Sequence, residues 1–294
     1  MSARPRPAFL GIGAQKAATT WLDRCLRRHP SIWLPPLKEL HYFDDLAAGT
    51  GRRAALRRGW AGRRARQALA PRLRADARYL DGSGLWWDAR YFFGRRGDEW
   101  YLSLFPGDPA AVAGEITPDY SILDPASVAR VRRLLPEVKL VFVMRDPIDR
   151  SWSQIRMDVG RGGRRAGDAP LPELIELARS DRVARRSDYD RTLRSWGSHF
   201  DEDRFFIAFL EDVRARPEEV LARLWRFLGV EATDRIDPAL ARRRVHAAAG
   251  DAAIPAELER ELARIHLDGL RALEARFGGH ARAWLARAER LLGA

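Results

Sequence analysis

The chain has 294 residues, 46% of them hydrophobic, and carries a formal net charge of +12. It is long enough to bury a full core, and no apolar run approaches the roughly 18–20 residues that cross a bilayer, which disfavours a membrane-spanning protein. The single cysteine, Cys25, excludes an intrachain disulfide and favours a reducing, cytoplasmic compartment.

The positive charge is concentrated in one segment. Residues 51–78 contain ten arginines and one acidic residue, a net charge of +9, so the other residues together carry only +3. This distribution predicts a nearly neutral globular protein with an Arg-rich, helical insert. It disfavours a nucleic-acid-binding protein, whose surface would be broadly basic.

The predicted elements alternate between strand and helix along the chain. The apolar run 8–14 breaks at Gln15 and Lys16, so it predicts a first strand, at 9–13, rather than a signal peptide. The helix that follows is predicted to end near Arg28, with Thr19 or Thr20 as its N-cap. Later strands are predicted at 111–116, 139–144 and 204–209, and later helices at 127–135, from Pro147 onwards, 189–200, 217–228, 255–277 and 281–292, with a loop at 160–167.

This alternation indicates an α/β fold with a P-loop-like parallel sheet, flanked by helices, and a helical C-terminus. The sequence contains no internal repeat and no convincing linker, so we expect a single domain over residues 1–294.

The first candidate site is the loop between the first strand and the first helix. A helix N-terminus after a tight loop presents unpaired N–H groups and a positive dipole, which together bind phosphate. Lys16 adds a cation there. Only three of the 52 basic residues are lysines, so a retained lysine hints at a site that needs a point charge. The loop lacks the Walker A pattern, and no acidic magnesium site is evident, so a P-loop-like kinase or NTPase is disfavoured.

The second candidate site follows the predicted strand 139–144. Arg145 comes just after the carboxyl end of that strand, where open α/β sheets bind ligands, and Ser153 comes about two helical turns later. Asp146 and Pro147 are typical of a helix start. An Arg fork plus a hydroxyl suits a second phosphate, so the two sites together imply a nucleoside that carries phosphates at both ends.

Four segments, in order, resemble the motifs of sulfotransferases that use 3′-phosphoadenosine 5′-phosphosulfate (PAPS). The loop 15–20 resembles their 5′-phosphosulfate loop, and Arg145 with Ser153 resembles their 3′-phosphate motif. Residues 38–43, Lys-Glu-Leu-His-Tyr-Phe, are similar to a Lys-Glu-x-x-Phe-Phe segment of the carbohydrate (heparan sulfate) branch and its bacterial relatives. Residues 114–120 are similar to a Glu-Lys-Ser/Thr-Pro-x-Tyr segment.

The resemblance implies a sulfotransferase fold and a set of site residues. The phosphosulfate would be bound by Gln15, Lys16, Ala17, Ala18, Thr19 and Thr20, with Lys16 at the bridging oxygen. Arg145 and Ser153 would hold the 3′-phosphate. Glu39 would be the general base that takes the proton of the acceptor hydroxyl, with His41 as the rival base. No metal is expected, because six scattered histidines and one cysteine show no ligand spacing.

The sequence departs from the family pattern at two positions. Ala18 stands where the family usually has glycine, so we expect the loop to close without a positive φ at this residue. Ile116 replaces a lysine that tends to lie near the substrate in the carbohydrate branch, which disfavours heparan-like acceptors. Glu115 is retained, either as a hydrogen-bonding residue at a strand end or as a catalytic group.

The expected reaction is transfer of a sulfuryl group from PAPS to a hydroxyl of an unidentified carbohydrate or small-molecule acceptor. Residues 51–78 follow the 38–44 segment, which borders the acceptor cleft in the resembling family. We therefore expect them to favour an anionic acceptor or surface, with a solvated basic helix pair as the alternative. The remaining alternative is an inactive protein of this fold that binds nucleic acid or a membrane surface. This alternative is disfavoured because the sequence retains Lys16, Glu39, Arg145 and Ser153.

Overall fold

Within the described part of the chain, five parallel strands form one sheet, in the order β2-β3-β1-β4-β5. The structure is a computed structural model that describes residues 6–48, 83–105, 111–231 and 253–293, so the predicted insert at 51–78 lies outside the described residues. The strands are β1 Phe9–Gly13, β2 Ile32–Trp33, β3 Val112–Ile116, β4 Lys139–Met144 and β5 Phe205–Phe209.

Helices flank this sheet and form the C-terminal part of the chain. They are α1 Thr19–Arg28, α2 Tyr42–Ala47, α3 Ser83–Phe93, α4 Asp98–Ser103, α5 Pro125–Leu134, α6 Pro147–Arg161, α7 Leu171–Arg179, α8 Asp181–Ala184, α9 Tyr189–Gly197, α10 Leu210–Ala215, α11 Pro217–Leu228, α12 Ala256–Phe277 and α13 Gly279–Leu292. Short 3₁₀ helices occur at Pro118–Ile122, Ala166–Asp168 and Glu202–Arg204. The two C-terminal helices pack on each other, and α12 also packs against α6, α7 and α9.

The central strands explain where a ligand site can form. All of β1 and nearly all of β4 are buried, as expected for a parallel sheet covered on both faces. The register places Phe9 opposite both Gly114 and Lys139, and a side chain at position 114 would run into the Phe9 ring. Because β1 and β4 are parallel neighbours, the loops that follow Gly13 and Met144 emerge side by side at the carboxyl edge of the sheet.

The predicted α/β architecture, with its parallel sheet and helical C-terminus, is confirmed. Strands β1 and β4 and helix α11 have the predicted bounds. The two-residue strand β2 was not predicted, because it is too short to show a period of two. The loop expected at 160–167 is shorter, since α6 continues to Arg161 and a 3₁₀ turn follows.

Candidate active site

The loop after β1 leads directly into the N-terminus of α1. The N-cap is Ala18, in the left-handed region with φ 61°, and no side chain caps the helix. The prediction that Thr19 or Thr20 is the cap is therefore wrong, and so is the expectation that Ala18 avoids a positive φ. The fold holds Ala18 in this conformation despite the cost that its Cβ imposes, and the first turn, which no side chain caps, keeps its N–H groups available. The Ala17 N–H is used inside the loop, where it donates to the Ala14 carbonyl at 3.1 Å.

Two segments of the candidate site contain residues with left-handed backbone. Among the described non-glycine residues, positive φ occurs at Lys16 (71°), Ala18 (61°), Glu39 (64°) and His41 (53°). Each costs an L-residue roughly 1–2 kcal/mol, and such residues cluster at functional sites. All four are residues that the sequence assigned to the site.

Arg145 connects the two predicted phosphate motifs. Its Nη1 donates to the Lys16 carbonyl oxygen at 3.3 Å, and its Nη2 lies 3.9 Å from the Asp149 carboxylate. The Arg145 Nε and the Gln15 Oε1 are both buried without a hydrogen-bond partner, so the site contains an unsatisfied donor and an unsatisfied acceptor. Burial is the main cause that lowers the pKa of Arg145.

The surroundings of Lys16 are strongly electropositive. The pKa of its ammonium is lowered by burial and then by the charges of Arg145, Arg156, Arg150 and Arg161. Several cations held together in a half-buried position favour a multiply charged anion. Ser153 lies on α6, half-buried, and its hydroxyl makes no hydrogen bond with the described residues.

A second group of side chains begins where the phosphate loop ends. Lys38 Nζ donates to Thr19 Oγ1 at 3.3 Å and lies 3.5 Å from Glu39 Oε1. The other carboxylate oxygen of Glu39 lies 3.5 Å from His41 Nε2. Glu39 is therefore held between two cationic side chains at the edge of the phosphate loop.

His41 is surrounded by carboxylates. Its Nδ1 lies 2.7 Å from Asp44 Oδ2 and 4.0 Å from Asp119 Oδ2. Burial lowers the pKa of the imidazole, but the hydrogen bonds to Asp44 and Glu39 outweigh burial and raise the pKa of His41 to about 9. At neutral pH the ring is therefore an imidazolium, which cannot accept a proton.

His41, Asp44 and Asp119 also form the group of candidate metal ligands found in the described part of the chain, with ligand atoms within 4.8 Å of one another. Other side chains of this protein already form hydrogen bonds with these carboxylates. Asp119 Oδ1 accepts two hydrogen bonds from Arg186, at 3.0 and 2.9 Å, and Asp44 Oδ2 accepts from the His41 ring. The arrangement is an ion-paired cluster that fixes the His41 ring.

Glu115 is fully buried behind this cluster. Its carboxylate accepts hydrogen bonds from Tyr101 (2.6 Å), Tyr120 (3.0 Å) and Thr117 (2.8 Å), while burial raises its pKa. The Tyr120 hydroxyl in turn accepts from the Tyr42 N–H at 3.1 Å, at the start of α2. Of its two interpretations, the geometry favours Glu115 as a hydrogen-bonding residue that anchors the backbone next to His41.

These contacts bring residues from all four sequence motifs together. Arg145 contacts Lys16, the phosphate loop contacts Lys38, and His41 contacts both Glu39 and Asp119. Ser153 stays outside this set of contacts. Sequence motifs did not predict Asp44 and Asp119 as site residues, although both lie within or next to the motifs at 38–43 and 114–120, and no motif indicates Arg186.

The fold is an α/β sheet with a candidate ligand site at the carboxyl edge of its central strands, and the chain belongs to the sulfotransferase family, whose family model matches residues 7–234. It is 29% identical over 153 residues to the membrane-associated sulfotransferase kil1 of Dictyostelium discoideum. That match covers 52% of this chain and 23% of the relative, so the chain spans about a quarter of that protein's length.

Two solved structures share the fold. A sulfotransferase from Alicyclobacillus acidocaldarius is similar with a TM-score of 0.62 at 22% identity, over 95% of this chain and 98% of that chain. The sulfotransferase domain of the Synechococcus PCC 7002 olefin synthase is similar with a TM-score of 0.51 at 17% identity, over 89% of this chain and 94% of that chain. Among the described residues, no helix combines the length and the apolar character that crossing a bilayer requires.

Proposed function

We propose that this sulfotransferase uses PAPS as its donor and transfers the sulfuryl group to a hydroxyl of a carbohydrate or small-molecule acceptor. The observation that carries the proposal is the contact between Arg145 and the Lys16 carbonyl, because it brings together the two motifs that would bind the two phosphate ends of one nucleotide. PAPS would supply the activated sulfuryl group, and adenosine 3′,5′-bisphosphate would remain.

The residues present fit such a donor. The N–H groups at the start of α1 lack a side-chain cap, and Arg145 Nε is buried without a partner. Both are donors that suit phosphate oxygens. Lys16 and the uncapped amides would stabilise the negative charge that develops on the phosphate side, the electrostatic effect that usually dominates such catalysis. Arg145 and Ser153 would hold the 3′-phosphate.

Glu39 is the proposed general base. Its carboxylate lies at the edge of the phosphate loop, because Lys38 contacts both Glu39 and the Thr19 hydroxyl. His41 is protonated at neutral pH, since its pKa is raised to about 9, so its proposed role is to orient Glu39 rather than to accept the proton. The Asp44 and Asp119 carboxylates hold the imidazolium in that orientation.

Transfer of radiolabelled sulfur from PAPS to a panel of hydroxyl acceptors tests the function. Glu39→Gln should lower turnover by roughly 10²-fold or more, as loss of a general base does, with donor affinity unchanged. The exposed Glu257→Gln, which removes the same charge, is the control. If His41→Ala lowers turnover more than Glu39→Gln at equal stability, the base has been misassigned.

Acceptor choice and location extend the same proposal. A preference for an anionic acceptor follows from the arginines of residues 51–78, and a cytoplasmic location follows from the single free cysteine; both stay predictions. The membrane association in the name of the Dictyostelium relative belongs to that longer protein.

A further inference from the structure

Lys16 has an unusual partner for a lysine at a charged site. Its Nζ donates to the thioether sulfur of Met157 at 3.7 Å. Within the described ranges, this is the hydrogen bond that the Lys16 side chain makes. A thioether is a weak acceptor, and the charges that act most strongly on Lys16 are all positive. Among the residues that the structure describes, no carboxylate forms an ion pair with this ammonium, which is therefore held loosely.

Met157 is less buried than the other sulfur-containing residues that the structure describes. It lies on α6, one turn beyond Ser153, and is half-buried. Met144 in β4 and Cys25 in α1 are both 0% exposed. Because oxidation of sulfur follows exposure, a dissolved oxidant would reach Met157 first among these three side chains.

We propose that Met157 is a redox modification site that controls the availability of Lys16. A hydroperoxide such as hydrogen peroxide transfers one oxygen atom to Sδ. The peroxide O–O bond breaks, a sulfur–oxygen bond forms, and the second oxygen leaves as water. Sulfur is oxidised by two electrons, and the peroxide is reduced by the same two. The product is methionine sulfoxide, which reductases can return to methionine.

The consequence for Lys16 follows from the change of acceptor. The sulfoxide oxygen carries a large partial negative charge, so it accepts a much stronger hydrogen bond than the thioether did. The charges that act most strongly on Lys16 are those of arginines, so the sulfoxide oxygen would act as a counter-dipole to them. The ammonium would be held towards α6 and away from the phosphate loop. The effect on turnover rests on the proposed function, whereas the effect on Lys16 itself does not.

The first test measures Lys16 directly. The chain contains three lysines, so labelling with ¹⁵N,¹³C-lysine gives three side-chain signals, assigned with Lys38→Arg and Lys139→Arg. After peroxide treatment, peptide mass spectrometry measures how much Met157 carries one added oxygen. The Lys16 signal should shift and its titration midpoint should rise, while the Lys38 and Lys139 signals stay in place. A methionine sulfoxide reductase should reverse both changes.

Two variants make this test specific. Met157→Leu keeps the volume but cannot be oxidised, so its Lys16 signal should not respond to peroxide. Met144→Leu keeps Met157 and should respond as the wild type does. An unmoved Lys16 signal at complete oxidation of Met157, a response in Met157→Leu, or resistance of Met157 to peroxide that oxidises free methionine would each overturn the proposal.

The second test measures turnover, each protein being compared with its own untreated sample. Oxidised wild type should lose about tenfold in turnover, the equivalent of one charged hydrogen bond diverted. Met157→Leu should lose nothing after peroxide, and equal losses in both proteins would overturn the proposal. If no acceptor supports transfer, the proposed function fails while the lysine signals still decide the role of Met157.

Discussion

Ala18 holds a backbone conformation that glycine adopts without strain. Its φ of 61° places it in the left-handed region, at the N-cap of α1. Ala18→Gly should therefore raise the free energy of unfolding by about 0.5–1 kcal/mol, measured by urea denaturation. Ala17→Gly is the matched control: its φ is not positive and its side chain is fully buried, so this variant should be less stable than the wild type. A destabilised Ala18→Gly would show that the loop conformation is wrong.

The protonated state of His41 predicts a specific pH dependence of stability. Its pKa is raised from the ordinary value of 6.5 to about 9. Folding therefore favours the protonated ring, and the stabilisation is complete below pH 6.5 and lost as the pH rises to about 9. The free energy of unfolding should fall by on the order of 3 kcal/mol across this window.

Urea unfolding followed by the fluorescence of the ten tryptophans, at a series of pH values, measures this loss. His41→Gln should remove the slope between pH 6.5 and 9. The window avoids His266, whose pKa burial lowers to about 3, so its titration lies at acidic pH. A slope in His41→Gln equal to that of the wild type would show that another group is responsible.

At the level of the elements, the C-terminal helix α13 contacts the start of α6. Arg287 donates to Asp146 at 2.7 Å, to Asp149 at 2.9 Å and to Glu259 at 2.7 Å. Asp149 also lies 3.9 Å from Arg145. Arg287 therefore neutralises the acid that would otherwise compete with a phosphate for Arg145. In this way, the last helix of the chain supports a site at the edge of the sheet.

Arg287→Gln tests this connection. Freed from Arg287, Asp149 should pair more strongly with Arg145, so the affinity for adenosine 3′,5′-bisphosphate should fall about fivefold, the value of roughly 1 kcal/mol of ion pairing. Arg276→Gln removes an arginine from the preceding helix, where an exposed pair with Glu202 is lost, and should change neither affinity nor stability. Reduced stability with full affinity in Arg287→Gln would limit α13 to a structural role.

Prediction from sequence succeeded where local chemistry decides the structure. The continuous apolar run of β4 and the Asp146–Pro147 helix start were both read correctly, because burial and capping leave a direct trace in the sequence. The cap of α1 was not, because the helix begins one residue earlier than expected from the threonines, so that the strained Ala18 occupies the cap position. Propensity predicts the relaxed conformation, and this loop is not relaxed.

The site shows the same limit. The sequence motifs named Lys16, Glu39 and Arg145, but the pairing of Asp119 with Arg186 joins residues 67 positions apart. Such contacts depend on the tertiary fold, and no spacing rule reports them. The Met157 contact with Lys16 is similar, since it crosses 141 positions.

At the scale of the whole molecule, the central claim is that the carboxyl edge of the sheet binds a nucleotide with phosphates at both ends. Isothermal titration of adenosine 3′,5′-bisphosphate into the wild type, Arg145→Ala and the exposed control Arg133→Ala tests it most directly, with adenosine 5′-phosphosulfate as the ligand that lacks the 3′-phosphate. The wild type and Arg133→Ala should bind the bisphosphate equally. Arg145→Ala should lose about 1.5–3 kcal/mol, roughly 10–150-fold, for the bisphosphate and much less for the phosphosulfate. Absence of bisphosphate binding to the wild type, or equal losses for both ligands in Arg145→Ala, would contradict the claim.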